Sequence, residues 1–545
     1  GGGGDNTDNG GKWGNGGGGG DDNTDTRSPP PPRPPSPPAP SPPAAVPTEY
    51  EHTPGRFPPA LDESQIAAVV EGLSSSSSSS SPAAWRDRGS PQYRAWKWLT
   101  DDVETSSVYE RPAGGREHRA AQRYVLAVLY YSTGGGGGST EEQAQAQTQA
   151  QPPRGWKKNE KWLSPANECG WEGLRCRQGE GDGDGGGGIS AGVTRSGEGD
   201  GPVGAPSSLP PDITFMDLSS NGLKGRLPDE IWWLKHLEHL HLFDNALTGT
   251  LPDAVSDLVH LQTMYLDNNQ LAGRLPVGIG KMGALEHLHL NKNKLSGPIP
   301  NSIGLLSNLV DLRLSSNALT GEFPVEFIEL SKLSVLMMDD NSVEGTLPRE
   351  FSLLTSLTVL RLHKNSLFGP VPDLSLLSGL TQLHLDGNAL SGSLPAAVGP
   401  PSLRELILSK NELTGMIPVA MGDLTDLEDL RLGSNEFGGP IPSSLGSLAS
   451  LRTLLLERNG FSGTIPSDVG RLPLLEMLHL NQNRLGGRVP DSFGDARALE
   501  ELRVEGNGLT GAMPGGVCAR EMTALTADCA GDQSEVECSC CTACF

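Results

Sequence analysis

From residue 213 to 517 the apolar positions fall in a fixed frame, LxxLxLxxNxLxGx(L/I/V/F/M)P, as in LEHLHLFDNALTGTLP at 237–252. Its Asn recurs at 221, 245, 269, 293, 317, 341, 365, 388, 411, 435, 459, 483 and 507, with ten intervals of 24 residues and two of 23. In LxL the two leucines point one way and the residue between them the other, which is the alternation of a strand. Each repeat therefore predicts one short parallel strand with one face in the core. The Asn then turns the chain inward, where its amide satisfies backbone groups of adjacent coils that a buried bend would leave unpaired. The Gly four positions after Asn and the Pro seven after it occur in all thirteen repeats. The Gly predicts a positive φ, and the Pro a rigid convex segment that cannot extend the sheet. One coil cannot bury its leucine face alone, so the thirteen must stack as one right-handed solenoid of α/β repeat class, with a concave parallel sheet of 13 strands.

Upstream the pattern changes. Residues 57–176 regain helical periodicity: Leu61, Ile66, Val69 and Val70 predict a first helix, and PQYRAWKWLTDD and REHRAAQRYVLAVLYYST two more. A serine run at 74–81 and a glycine run at 134–138 separate them. Trp85, Trp96, Trp98, Trp156, Trp162 and Trp171 fall here, too many large aromatics for a solvated linker, so the region predicts a small helical cap. Residues 1–56 predict no core: 12 Gly fall in residues 1–20 and 12 Pro in residues 29–47, a flexible coil followed by an extended polyproline spacer. Residues 177–211 predict an acidic, Gly-rich solvated loop; Asp182 and Asp184 lack the repeated ligand spacing of a calcium site. The solenoid then spans 212–517 and a Cys-rich cap 518–545.

Composition excludes some classes. Lys plus Arg 42 against Asp plus Glu 66 gives a net charge of −24, which repels polyanions, so no nucleic-acid partner is expected. No apolar run approaches a membrane span; the longest, Tyr124 to Tyr131, covers eight residues. The chain begins at Gly1 without Met, so an upstream signal or anchor would lie outside it. There is no GxSxG, HExxH or P-loop motif, no HRD or DFG, and no N-x-Ser/Thr sequon. No enzyme activity, cofactor or resident metal is expected.

The eight cysteines form a pair, Cys169 and Cys176, and a group of six, Cys518, Cys529, Cys538, Cys540, Cys541 and Cys544. They bracket the solenoid, where disulfide-stapled caps would keep the end coils from exposing leucine. A zinc site at Cys538, Cys540, Cys541 and Cys544 is the alternative. With the thirteen NxLxGx(L/I)P segments and CGWEGLRC at 169–176, the sequence resembles plant-type extracellular leucine-rich repeat proteins: receptor-kinase ectodomains, receptor-like proteins and polygalacturonase inhibitors. The resemblance implies a disulfide-bonded N-terminal cap, in which Leu174 stands where Val is usual. SPQYRAWKWLTDD, QRYVLAVLYYST and CSCCTACF look more like algal members than those of land plants. It also implies binding rather than catalysis, outside the cell or at its surface, of a protein, peptide or polysaccharide ligand, with a co-receptor as a further partner. A wall-associated structural or glycanase-inhibitor protein and an intracellular interaction scaffold are the alternatives.

The strand register predicts which side chains line the concave face. The position between the two leucines runs Asp217, His241, Tyr265, His289, Arg313, Met337, Arg361, His384, Ile407, Arg431, Leu455, His479, Arg503. Acidic columns flank it two residues either side, so Asp311 with Arg313, Asp429 with Arg431 and Glu501 with Arg503 are expected to satisfy one another. Seven of the 11 His fall in these three columns, and duplication of LEHLHL at 237–242 and 285–290 accounts for four of them. The candidate ligand-binding residues are His239, His241, Phe243, Tyr265, Asp267, His287, His289, Arg313 and Arg361. A flat ligand is expected to rest on the Tyr265 ring with Phe243 beside it. The imidazoles of repeats two and four lie two rungs apart, roughly 10 Å, too far for all four to share one metal.

Overall fold

A computed structural model describes residues 63–75, 86–105, 113–133, 156–157, 162–163, 168–177, 212–529 and 536–545. The expected leader, most of the acidic loop, the glycine run and Trp85 lie outside these residues.

The thirteen repeats each supply one concave strand, from Ile213–Asp217 to Glu501–Arg503, and neighbours pair in parallel with equivalent residues opposed. The caps extend this sheet to 16 strands. Leu174–Cys176 pairs antiparallel with the first repeat strand, while Ala524–Ala527 and Ala543–Cys544 continue the parallel order at the other end. The LxL leucines are buried throughout, and one continuous hydrophobic core runs from the third helix to Val536.

The Asn ladder closes each inward bend. Asn365 Nδ2 donates to Met338 O of the preceding coil at 3.0 Å and to Leu362 O of its own at 3.1 Å, and its Oδ1 accepts from Val343 N at 3.0 Å. The residue before each Asn also has positive φ, from Ser220 to Gly506, although its identity varies among Ser, Asp, Asn, Lys, Gly, Arg and Gln. The Gly four after Asn has positive φ in every repeat, reaching 98° at Gly345, a conformation in which a Cβ is strained.

A second parallel sheet, not anticipated from the sequence, has 11 strands from Ala272–Gly273 to Gly508–Leu509 and runs through the segments after Asn. Its local sequence, small or polar apart from one buried apolar residue, carries no strand alternation. A nearly constant coil length aligns the N–H and C=O groups of neighbouring coils, and these pair. On the convex side Pro caps five-residue 3-10 turns such as Asn301–Leu305 after Pro300. After Pro372 and Pro395, in the two 23-residue intervals, no such turn forms among the described residues: one residue fewer leaves too little chain for it.

Three helices, α1 (Glu63–Ser75), α2 (Pro91–Thr105) and α3 (Ala113–Thr133), occupy the predicted cap, and α1 absorbs the first two residues of the serine run. Residues 124–130 of α3 are buried. Tyr130, Trp156, Trp162 and Trp171 pack ring against ring at 4.9 to 6.2 Å. Arg119 and Arg123 both reach the buried Glu168 carboxylate, at 2.8 and 3.2 Å, and the Arg123 guanidinium lies against Trp98 and Trp171. Glu168 is beside Cys169, which is bonded to Cys176. At the other end the disulfides are Cys518–Cys540, Cys529–Cys544 and Cys538–Cys541. No cysteine is free, so the four thiolates that the zinc alternative needs are not there.

Candidate functional site

Because equivalent residues stack at about 4.8 Å, the column between the leucines becomes a continuous row of side chains. In repeats two to four it forms a ring stack: the Tyr265 ring lies 4.5 Å from His241 and 4.3 Å from His289, within 18° of parallel to each. At one end His241 meets Phe215 of the flanking column edge-on at 5.3 Å, and Arg175 covers that ring at 4.7 Å. At the other the stack meets Asp311, whose Oδ2 is 3.2 Å from His289 Nε2. Both faces of Tyr265 are therefore occupied by imidazoles, which corrects the expectation that a flat ligand lies upon it. The open feature is the edge of a three-ring stack. Among the described residues Phe243 makes no ring contact with Tyr265; it is half-buried one column away.

The flanking columns hold this stack in place. Thr263 Oγ1 sits 2.9 Å from His239 Nδ1 and 2.8 Å from His241 Nε2, binding both imidazoles of the first LEHLHL module. Asp311 takes a two-pronged hydrogen bond from Arg313, Nε to Oδ1 at 3.0 Å and Nη2 to Oδ2 at 2.8 Å. Burial would raise the Asp311 pKa, but His289 and Arg313 outweigh it and hold the carboxyl below its usual range. The hydrogen bond from Arg313 to Asp311 in turn raises the guanidinium pKa. Burial pushes the Tyr265 hydroxyl and the Asp267 carboxyl upward.

The structure thus groups His239, His241, Tyr265, Asp267, His287, His289 and Arg313 on repeats two to five. Arg361 belongs elsewhere, two rungs past Arg313 with Met337 between. It donates to Gln382 Oε1 at 2.9 Å beside a second cluster, in which His384 Nε2 lies 2.7 Å from Glu405 Oε2 and the His363 ring is 6.0 Å from that of His384. Desolvation lowers the His384 pKa despite the hydrogen bond with Glu405. The expected ion pairs form: Arg431 to Asp429 at 2.8 Å and Arg503 to Glu501 at 3.3 Å, like Arg313 to Asp311. Register alone places Phe215 and Thr263, but neither carries an obvious binding chemistry in the sequence, and neither was a candidate.

Rigid parallel rungs presenting rows of polar and aromatic side chains define a solenoid scaffold whose sheet face is its chemical surface. Family models described as leucine rich repeat match residues 236–258, 260–282, 284–306 and 474–496 and, as a multi-repeat unit, 378–437 and 401–461. The chain belongs to the leucine-rich repeat family and is of its plant type. Among solved structures it is similar to the plant peptide hormone receptor RGFR1 in complex with RGF2, at 34% identity over 56% of this chain and 49% of that one, with a TM-score of 0.54. It is similar to the TDR receptor at 33% identity over 55% and 53%, with a TM-score of 0.53. Similarity to PEPR1 in the PEPR1–AtPEP1 structure is 30% over 66% and 46%, with a TM-score of 0.57. The chain spans about half the length of each of these three. Among curated protein sequences there is no significant match. No helix of the described residues is long and apolar enough to cross a membrane.

Proposed function

We propose that this chain is a non-enzymatic, receptor-like recognition module working outside the cell, and that it takes a peptide along the concave face of repeats two to five. The observation that carries this reading is the His241–Tyr265–His289 stack, whose edge is flanked by Thr263 on one side and the Asp311–Arg313 pair on the other. A fixed row of donors, acceptors and one aromatic edge suits a chain that carries its own N–H and C=O groups and charged side chains. Two of the similar structures are receptors, one of them a plant peptide hormone receptor in complex with RGF2, which supports the same use here. Eight cysteines in four disulfides support an oxidising compartment and speak against the intracellular scaffold. A co-receptor is proposed as a second partner.

The wall-associated or glycanase-inhibitor reading is favoured by one feature, the row of imidazoles, whose ring nitrogens can hydrogen-bond the hydroxyl and carboxylate oxygens of a uronate. An affinity selection with immobilised full chain separates the two. Synthetic 10- to 20-residue peptides and oligogalacturonides, offered side by side at pH 5.5 and 7.5, are expected to give saturable capture of peptides. Capture of oligogalacturonide alone would replace the peptide reading with the polysaccharide one.

A further inference from the structure

The duplicated LEHLHL module places His-x-His on the concave face twice, as His239 with His241 and as His287 with His289. The copies differ in what the next rung sets opposite them. In parallel register His239 faces Thr263, whereas His287 faces Asp311. The first copy closes on a hydroxyl, Thr263 Oγ1, at 2.9 and 2.8 Å. The second meets a carboxylate. One nitrogen each of His287 and His289 and one oxygen of Asp311 lie within 4.8 Å of one another. His289 Nε2 is buried and, although 3.2 Å from Asp311 Oδ2, faces it without hydrogen-bond geometry. The Asp311 side chain is only 10% exposed and is aimed by Arg313.

We infer that His287, His289 and Asp311 form a binding site for a divalent transition-metal ion, with zinc the best chemical match. Two imidazoles and one carboxylate are a donor set that zinc accepts, and its bonds of about 2.0–2.2 Å require the donor atoms to close to about 3.3 Å separation. Side-chain rotation supplies that closure, since all three residues stand on adjacent strands of a rigid sheet. Arg313 acts from behind, fixing the carboxylate as outer hydrogen-bond partners do at metal sites, while its charge keeps the affinity below that of an all-protein structural site. The three donors come from two neighbouring rungs, so the remaining coordination positions face the open concave surface. The four imidazoles still do not share one ion: repeat two is a separate pair, and the carboxylate from repeat five is what completes the second.

The site does not rest on the peptide reading, because the ion alone is the probe. The full chain, disulfides intact and stripped with chelator, is titrated with Zn²⁺ by calorimetry and with Co²⁺ by visible absorption. The expected result is one ion per chain, weakened at least about tenfold by His287→Ala or Asp311→Asn and unchanged by His239→Ala. Thr263→Asp supplies the first copy with the carboxylate it lacks and is expected to add a second ion. Thermal melts of each variant separate lost binding from lost folding. A wild type that takes up no zinc, binding that survives both His287→Ala and Asp311→Asn in folded protein, or a folded Thr263→Asp that gains no second ion, would each overturn the assignment.

Discussion

At the scale of single residues, stability rests on polar groups that the coils cannot leave open. Asn365 Nδ2 and Oδ1 engage backbone groups of its own coil and of the one before it, so Asn365→Ala strips partners from buried carbonyls and an amide at once. The expected cost is about 1–3 kcal/mol in denaturant unfolding, and an unchanged midpoint would contradict the ladder role. His384 gives a pH signature. Burial lowers its pKa from the ordinary 6.5, so the unfolded chain binds the proton more readily than the folded one. The stability gained from the neutral imidazole is complete above pH 6.5 and is lost as pH falls through the lower folded value. His384→Gln should therefore flatten the decline in melting temperature on going below pH 6.5, and an identical slope in the variant would show that this group does not drive it.

At the scale of elements, the two caps are held by different chemistry. In the N-terminal cap Glu168 answers two arginines that are essentially buried, so Glu168→Gln removes the carboxylate charge that both share beside the Trp cluster. A loss of about 3–5 kcal/mol is expected, read as early hydrogen exchange in α2 and α3; exchange unchanged from wild type would mean the triad is dispensable. The C-terminal cap depends on its three disulfides, and reduction should open proteolysis at residues 500–545 first and proceed inward, whereas uniform cleavage would contradict that role. The elements also mark the limit of what the sequence reveals. The concave strands were legible because their leucines alternate, and α3 because its apolar face recurs. The second sheet was not, since its pairing follows from coil length rather than from local pattern. The positive φ before each Asn was hidden because residues as unlike as Ser220 and Arg458 adopt it. Likewise register gave the column that holds Tyr265, but only the spacing of rings within it reveals that both faces are covered.

At the scale of the whole molecule, thirteen rungs form one core with a long concave surface, and function is expected to concentrate where that surface is least self-satisfied. In the C-terminal half, Arg431 with Asp429, Arg503 with Glu501 and His479 with Glu501 pair internally. Repeats two to four instead expose the edge of an aromatic and imidazole stack. The most direct measurement is a peptide selection run in parallel on three proteins: wild type, the double variant Tyr265→Ala, His289→Ala, and Arg431→Ala. Recognition on repeats two to five predicts that the peptides enriched by wild type are enriched equally by Arg431→Ala and lost with the double variant. The same peptides enriched by the double variant, with melting temperatures confirming that all three are folded, would contradict it.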